Sequence, residues 1–144
     1  MSKVSTYLNF ESETEKAFNF YKEIFGSDFT GIMRFGDIPP SENNPEIPEE
    51  VKKMIMHIEL PILGGHVLMG TDAPESMGFK VKKGNNYYIM LQPDTRQETK
   101  KLYDALKVDG QIEQELQEMF WGDYYGSLKD KFGVQWMFNC NEKL

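Results

Sequence analysis

The chain has 144 residues, 40% of them apolar and 27% charged, with a formal net charge of −7. That length suits one domain with a true core, the composition is that of a soluble globular protein, and no apolar run is long enough to span a bilayer. The acidity excludes a nucleic-acid partner, which needs a basic face, and is compatible with a cationic small molecule as well as with plain solubility. Cys140 is the single cysteine, which rules out an internal disulfide and fits a reducing cytoplasm. The opening Met1-Ser2-Lys3-Val4-Ser5-Thr6 carries no apolar stretch of the secretory kind.

In chain order, Thr6 to Phe10 alternates as a short strand, with Leu8 and Phe10 on one face and Ser5, Tyr7 and Asn9 on the other. Ser12-Glu13-Thr14-Glu15 fits a capping box, with Ser12 as N-cap and Glu15 reaching back to it. Ala17, Phe18, Tyr21, Ile24 and Phe25 then follow at helical spacing, and Gly26 marks a left-handed stop, which predicts a helix over 13–25. Phe29 to Phe35 reads as a strand. Residues 36–50 hold Pro39, Pro40, Pro45 and Pro48 among acids and asparagines, and read as a long loop, either a lid or a flexible excursion. Met54 to Ile62 is a strand with Met56, Ile58 and Leu60 on one face and Ile55, His57 and Glu59 on the other; Pro61 places its end or an edge. Gly64-Gly65 turns the chain, and His66 to Thr71 returns.

A second irregular stretch, 74–85, is locally basic, and then the order repeats. Tyr87 to Gln92 reads as a strand and Thr95-Arg96-Gln97-Glu98 as a second capping box. Leu102, Tyr103, Leu106 and Val108 form a helical stripe stopped at Gly110. Gln111 to Met119 is a polar strand. Phe120, Trp121, Tyr124 and Tyr125 crowd the start of the next strand, as core or as the wall of a ligand cavity. Asp130-Lys131-Phe132-Gly133 reads as a tight turn, and Val134 to Asn139 as the last strand. Strand, capped helix and three strands thus occur twice, about eighty residues apart, which describes a duplicated unit. The fold class is α+β: two βαβββ modules, about 4–73 and 85–141, in a single domain. They form a curved mixed sheet with helices on its outer face and a concave inner face.

This arrangement, with Tyr7-Leu8-Asn9-Phe10, the Ala17 to Gly26 helix, Leu68-Met69-Gly70-Thr71-Asp72, Phe120-Trp121-Gly122-Asp123-Tyr124-Tyr125-Gly126 and Asp130-x-Phe132-Gly133-x-x-Trp136, resembles the vicinal-oxygen-chelate (glyoxalase/bleomycin-resistance/dioxygenase) superfamily, in its PhnB-like branch. Members of that branch are often labelled 3-demethylubiquinone 3-methyltransferase. Glu11, Ser12 and Glu13, however, stand where a doubly wound methyltransferase needs a glycine-rich turn after its first strand. Enzymes of the superfamily hold a divalent ion with His, Glu or Gln from four strands. Those positions fall here on Ser5 or Thr6, near Leu68 or Met69, on Tyr88 and on Met137, which are poor ligands for a hard or borderline ion. The resemblance therefore implies the fold without the shared metal, and no cofactor. A displaced ion on His57 and Glu59, helped by Asn9, Gln92 or His66, is the alternative.

The inner-face alternates, Tyr7, Asn9, His57, Glu59, Tyr88, Met90, Gln92, Gln135, Met137 and Asn139, contrast with the apolar set Leu8, Phe10, Ile58, Leu60, Ile89, Leu91, Trp136 and Phe138. Aromatic and methionine surface with a few amides describes a small-molecule pocket. Its candidate ligand-binding residues are Tyr7, Asn9, His57, Glu59, Tyr88, Met90, Gln92, Trp121, Tyr124, Gln135 and Met137. His57 and Glu59 are the catalytic candidates of an alternative lyase- or hydrolase-like reading. The resemblance also implies a homodimer.

Overall fold

The computed structural model describes residues 1–39 and 47–144. Much of the proline-rich stretch, Pro40 and Pro45 included, lies outside the described residues. The chain falls into two compact units, Met1–Lys82 and Lys83–Leu144. Both are α+β, each with a four-stranded mixed sheet.

The first unit runs β1 (Thr6–Phe10), α1 (Thr14–Phe25), β2 (Gly31–Arg34), a one-turn helix α2 (Glu49–Lys52), β3 (Ile55–Pro61) and β4 (Val67–Asp72). Its strand order is β1-β4-β3-β2, with β1 parallel to β4 and the other pairs antiparallel. A parallel neighbour needs a long crossover, which the α1–β3 segment supplies. Leu8, Phe10, Ile58, Leu60 and Leu68 are buried with Ala17, Phe18 and Tyr21 of α1. Removing side chains of this size from water stabilises the fold by about 1.5–3 kcal/mol each. Gly70 lets the helix approach, since a Cβ there would sit 2.6 Å from Cε1 of Phe18.

The Ser12–Glu15 capping box does not form: Glu13 is the N-cap and makes no side-chain cap bond. The buried Asp72 carboxylate at the end of β4 instead accepts from the N–H groups of Thr14 (3.0 Å) and Ile55 (2.8 Å), and Glu15 pairs with Arg34. A tertiary carboxylate satisfies the helix end that a local motif was expected to satisfy. The β2–β3 register shifts between Met33 and Arg34, which pair with His57 and Ile55. This bulge turns Ile55 into the core beside Ile58 and Leu60, off the face of His57. The expected 29–35 strand covers only 31–34. Phe35–Asp37 makes a single helical turn, and Pro48 is the N-cap of α2, ahead of its first turn, where the missing N–H breaks no helical bond.

The second unit runs β5 (Ile89–Leu91), α3 (Arg96–Leu106), β6 (Gln111–Glu118), β7 (Tyr124–Lys129) and β8 (Gln135–Cys140), in the order β5-β8-β7-β6 with β5 parallel to β8. This repeats the first unit's topology. Thr95 caps α3 by accepting from the Glu98 N–H at 3.1 Å. Leu102, Tyr103 and Leu106 pack with Leu91, Leu128, Trp136 and Phe138 in the core. Val108 lies beyond the helix and is exposed, and Asp109 rather than Gly110 takes the left-handed conformation past its end. Gly110 serves another need: a Cβ there would collide with the Lys129 carbonyl. Tyr87, Tyr88 and Gln92 flank a β5 shorter than expected. Phe120 and Trp121 precede β7 in an exposed turn, 97% and 48% accessible, which corrects the core reading for both. Among the described residues no helix is long and apolar enough to cross a membrane.

Candidate functional site

In the first unit, register and alternation set one sheet face away from the core. Tyr7 pairs with Met69 and Met69 with Glu59; Asn9 pairs with Thr71, and His57 with Met33. Tyr7 spans β4 to reach His57, where its hydroxyl lies 3.0 Å from Nδ1. The two rings sit 5.6 Å apart at 36°. Nε2 of His57 lies 2.8 Å from Oε2 of Glu59, and Oε1 of Glu59 accepts weakly from the Thr30 hydroxyl at 3.4 Å. An ionised carboxylate only accepts, so in the neutral ring the proton sits on Nε2 and Nδ1 accepts from the phenol. Burial, then the nearby Glu59 charge, pushes the Tyr7 phenol up; the bond from His57 holds the Glu59 carboxyl below its usual range. Tyr7 is therefore a neutral phenol and Glu59 a carboxylate at neutral pH. The set is a base held between an orienting acid and a hydroxyl, half-exposed to solvent. His66, by contrast, is 2.8 Å from the Thr6 hydroxyl and does not join it.

In the second unit Met90 sits opposite Met137, and Tyr125 opposite Asn139. The Tyr88 hydroxyl donates to Oε1 of Glu113 on β6 at 2.7 Å, which raises the phenol's pKa. A flat sheet would hold the backbones of its two edge strands about 14 Å apart, so this bond requires curvature. Gln135 is buried: its Nε2 donates to the Tyr87 carbonyl at 2.6 Å, while its Oε1 has no partner among the described residues. Gln92 is exposed. Tyr124 does not share this face. It lies under Arg96 of α3, 5.1 Å from ring centre to guanidinium carbon. Trp121 packs edge-on against Phe120 and Tyr125. Glu113, Met33 and Thr30 do not figure in the sequence reading of the site, which gives Tyr125 as core or cavity wall but not among the ligand-binding candidates. Alternation from Met137 through its partner strand would have found Tyr125, whereas no local signal marks Glu113 or Thr30.

A groove of about 480 Å³ beside α3 is lined by Arg96, Gln97, Lys100, Lys101, Asp104, Tyr124 and Leu144. Arg96 already donates to Glu118 and to the carbonyls of Gly122 and Glu142, and Lys100 pairs with Asp104, so most of its charge is spent internally.

The most specific sequence blocks serve the frame. Asp130 accepts from the N–H groups of Phe132 (2.8 Å) and Val134 (3.0 Å) and from the Trp136 indole (2.9 Å). Asp123 accepts from Asn139 and Lys143. A Cβ on Gly126 would lie 3.0 Å from Tyr103 Cε2 and from Leu116 Cα. A divalent ion fits poorly: Leu68 is fully buried, Thr6 is bonded to His66, and among the described residues no three His, Cys, Asp or Glu side chains gather.

A family model described as the Glyoxalase/Bleomycin resistance protein/Dioxygenase superfamily matches residues 6–138. Protein YjdN of Escherichia coli (strain K12) is 29% identical over 141 residues, spanning 94% of this chain and 93% of its own. The crystal structure of protein PA1353 from Pseudomonas aeruginosa superposes with a TM-score of 0.82 at 29% identity, covering 97% of this chain and 98% of that one. A Bacillus cereus structure described as a putative 3-demethylubiquinone-9 3-methyltransferase, PhnB protein, superposes at 0.73 with 25% identity, covering 96% and 99%.

Proposed function

The chain belongs to the glyoxalase/bleomycin resistance protein/dioxygenase superfamily, and we propose that within it this protein binds a small organic molecule without a chelated divalent ion. The observation that carries the reading is the outward face of the first sheet, where Tyr7, His57 and Glu59 are joined beside Asn9, Met33 and Met69. Such a surface combines polarizable apolar contact with a few oriented polar groups, which is how small ligands are held and aligned. Tyr88, Met90, Met137 and Gln135 supply comparable surface in the second unit. The positions where relatives carry metal ligands hold side chains that bind hard ions poorly. The reading extends to a cytoplasmic homodimer, supported by the lone buried Cys140 and by the family.

Thermal-shift screening against a broad set of small molecules, with elemental analysis of protein purified without chelators, tests this. A ligand that binds only the native state raises the melting temperature. The expected result is at least one stabilising compound and no stoichiometric metal. A full equivalent of a divalent ion, lost in His57→Ala, would overturn the metal-free reading.

One observation favours a second reading, a lyase- or hydrolase-like enzyme. His57 is held by Glu59 on one nitrogen and faces a hydroxyl on the other, the arrangement of an oriented general base. Turnover of a stabilising compound, abolished by His57→Gln, would establish it; binding without turnover would leave the first reading.

A further inference from the structure

Resting on the small-molecule reading, we infer that the face around Tyr7, His57 and Glu59 takes a protonated amine, and does so only while the His57 ring is neutral. In that state Nε2–H is committed to Glu59 and Nδ1 to the Tyr7 hydroxyl. The outward-facing lone pairs are those of the Tyr7 oxygen and the Glu59 carboxylate, and the exposed Asn9 carboxamide can add its oxygen. All are acceptors, and one carries a full negative charge. Met33 and Met69 lie beside them as soft apolar surface. An ammonium group brings three donors and a positive charge to this set. A carboxylate or phosphate would meet the Glu59 charge and these lone pairs, and finds a cation only outside the set, at Lys3.

Protonating His57 changes both the charge and the direction of the hydrogen bonds. An imidazolium donates from both nitrogens. Nδ1–H then donates to the Tyr7 oxygen, the phenolic hydrogen turns outward, and the His57–Glu59 pair carries no net charge. Among the described residues, the groups facing the ring are few. Tyr7 comes from β1 and Glu59 from β3 itself; the outward residues of the strands between and beside them, Met33, Met69 and Thr71, are uncharged. Lys3 lies close enough to Glu59 to favour its ionised form. Arg34 turns away to Glu15 and the Lys53 carbonyl. Ammonium binding and proton uptake therefore exclude each other. Apparent affinity falls in proportion to the neutral fraction, about tenfold per pH unit once below the midpoint of the ring's titration.

The test titrates the full chain with benzylammonium chloride and with its neutral isostere benzyl alcohol. Nitrogen-15 NMR follows binding across pH, and the His57 resonances give the ring's own midpoint. Benzylammonium is expected to shift the Tyr7 and His57 signals and, well above the midpoint, to bind roughly tenfold or more tightly than the alcohol. Glu59→Gln is expected to lose that preference while keeping the wild-type circular dichroism spectrum. Should that variant fail to fold, Tyr7→Phe, which removes one acceptor, must weaken benzylammonium severalfold. Equal affinity for the two probes, or an ammonium affinity indifferent to pH, overturns the inference. If neutral compounds bind and benzylammonium does not, this inference fails and the small-molecule reading stands. If no compound binds at all, both fail.

Discussion

Removing the Asp130 carboxylate is the perturbation whose consequence the structure determines most closely. Both oxygens are used: Oδ1 accepts from the Phe132 and Val134 amides and Oδ2 from the Trp136 indole, with the carboxylate 3% exposed and Trp136 fully buried. In Asp130→Ala these three donors lose that acceptor where water has poor access. At about 1–3 kcal/mol for each buried donor so deprived, and with some relief from relaxation, the variant should lose roughly 3–5 kcal/mol. That is a large part of the 5–15 kcal/mol typical of a domain. Asp130→Asn separates the contributions. Its oxygen can keep the two amides, but its NH2 group then faces the indole N–H, donor against donor, and the loss should be about 1–3 kcal/mol. Urea unfolding followed by far-ultraviolet circular dichroism measures both. If Asp130→Ala falls within about 0.5 kcal/mol of wild type, the turn is not held by this carboxylate and the account of the Asp-x-Phe-Gly-x-x-Trp block is wrong.

Gly126→Ala should destabilise by roughly 1–3 kcal/mol, because its Cβ meets Tyr103 and the β6 backbone at 3.0 Å; an unchanged urea midpoint would mean that β6 yields freely. Tyr103 titrates with a pKa pushed up to about 12, chiefly by burial. Its folded value exceeds its unfolded one, so its contribution is complete below about pH 10 and is lost as pH rises toward the folded value. Ultraviolet titration should show a phenol ionising near pH 12 whose contribution vanishes in Tyr103→Phe. Glu15 shows the opposite sign: its bond to Arg34 lowers its pKa, so its contribution is present above about pH 4.3 and lost as pH falls through the lowered value. The stability gap between wild type and Glu15→Gln should therefore close in acid. Acrylamide should quench the half-exposed Trp121 and spare Trp136, and Trp136→Phe should remove the protected emission.

The duplicated module was legible because two independent signals agreed, period-two alternation in the strands and a polar start before each helix. The alternation was right residue by residue for Leu8, Phe10, Ile58, Leu60, Ile89, Leu91, Trp136 and Phe138, all buried. It failed at Ile55, where a bulge reverses the parity of one residue, and no pattern within a single strand announces a bulge. At the second helix the Thr95 side chain caps as expected, accepting from the Glu98 N–H, whereas Ser12 does not cap the first. The carboxylate that serves α1 stands 58 residues away at Asp72, beyond any local motif. Phe120 and Trp121 were misplaced because aromatic content suggests burial while a turn defeats it. Tyr7, His57 and Glu59 were each assigned to one face from alternation alone. Their hydrogen bonds depend on how β1, β4 and β3 are ordered, which a single sequence does not state.

The central claim is that small molecules are received on the outward face of the first sheet. Chemical-shift mapping with any compound that raises the melting temperature tests it most directly. Perturbations are expected to centre on Tyr7, His57, Glu59, Met33 and Met69. Shifts confined to Arg96, Lys100, Tyr124 and their neighbours beside α3, with His57 unmoved, would contradict it.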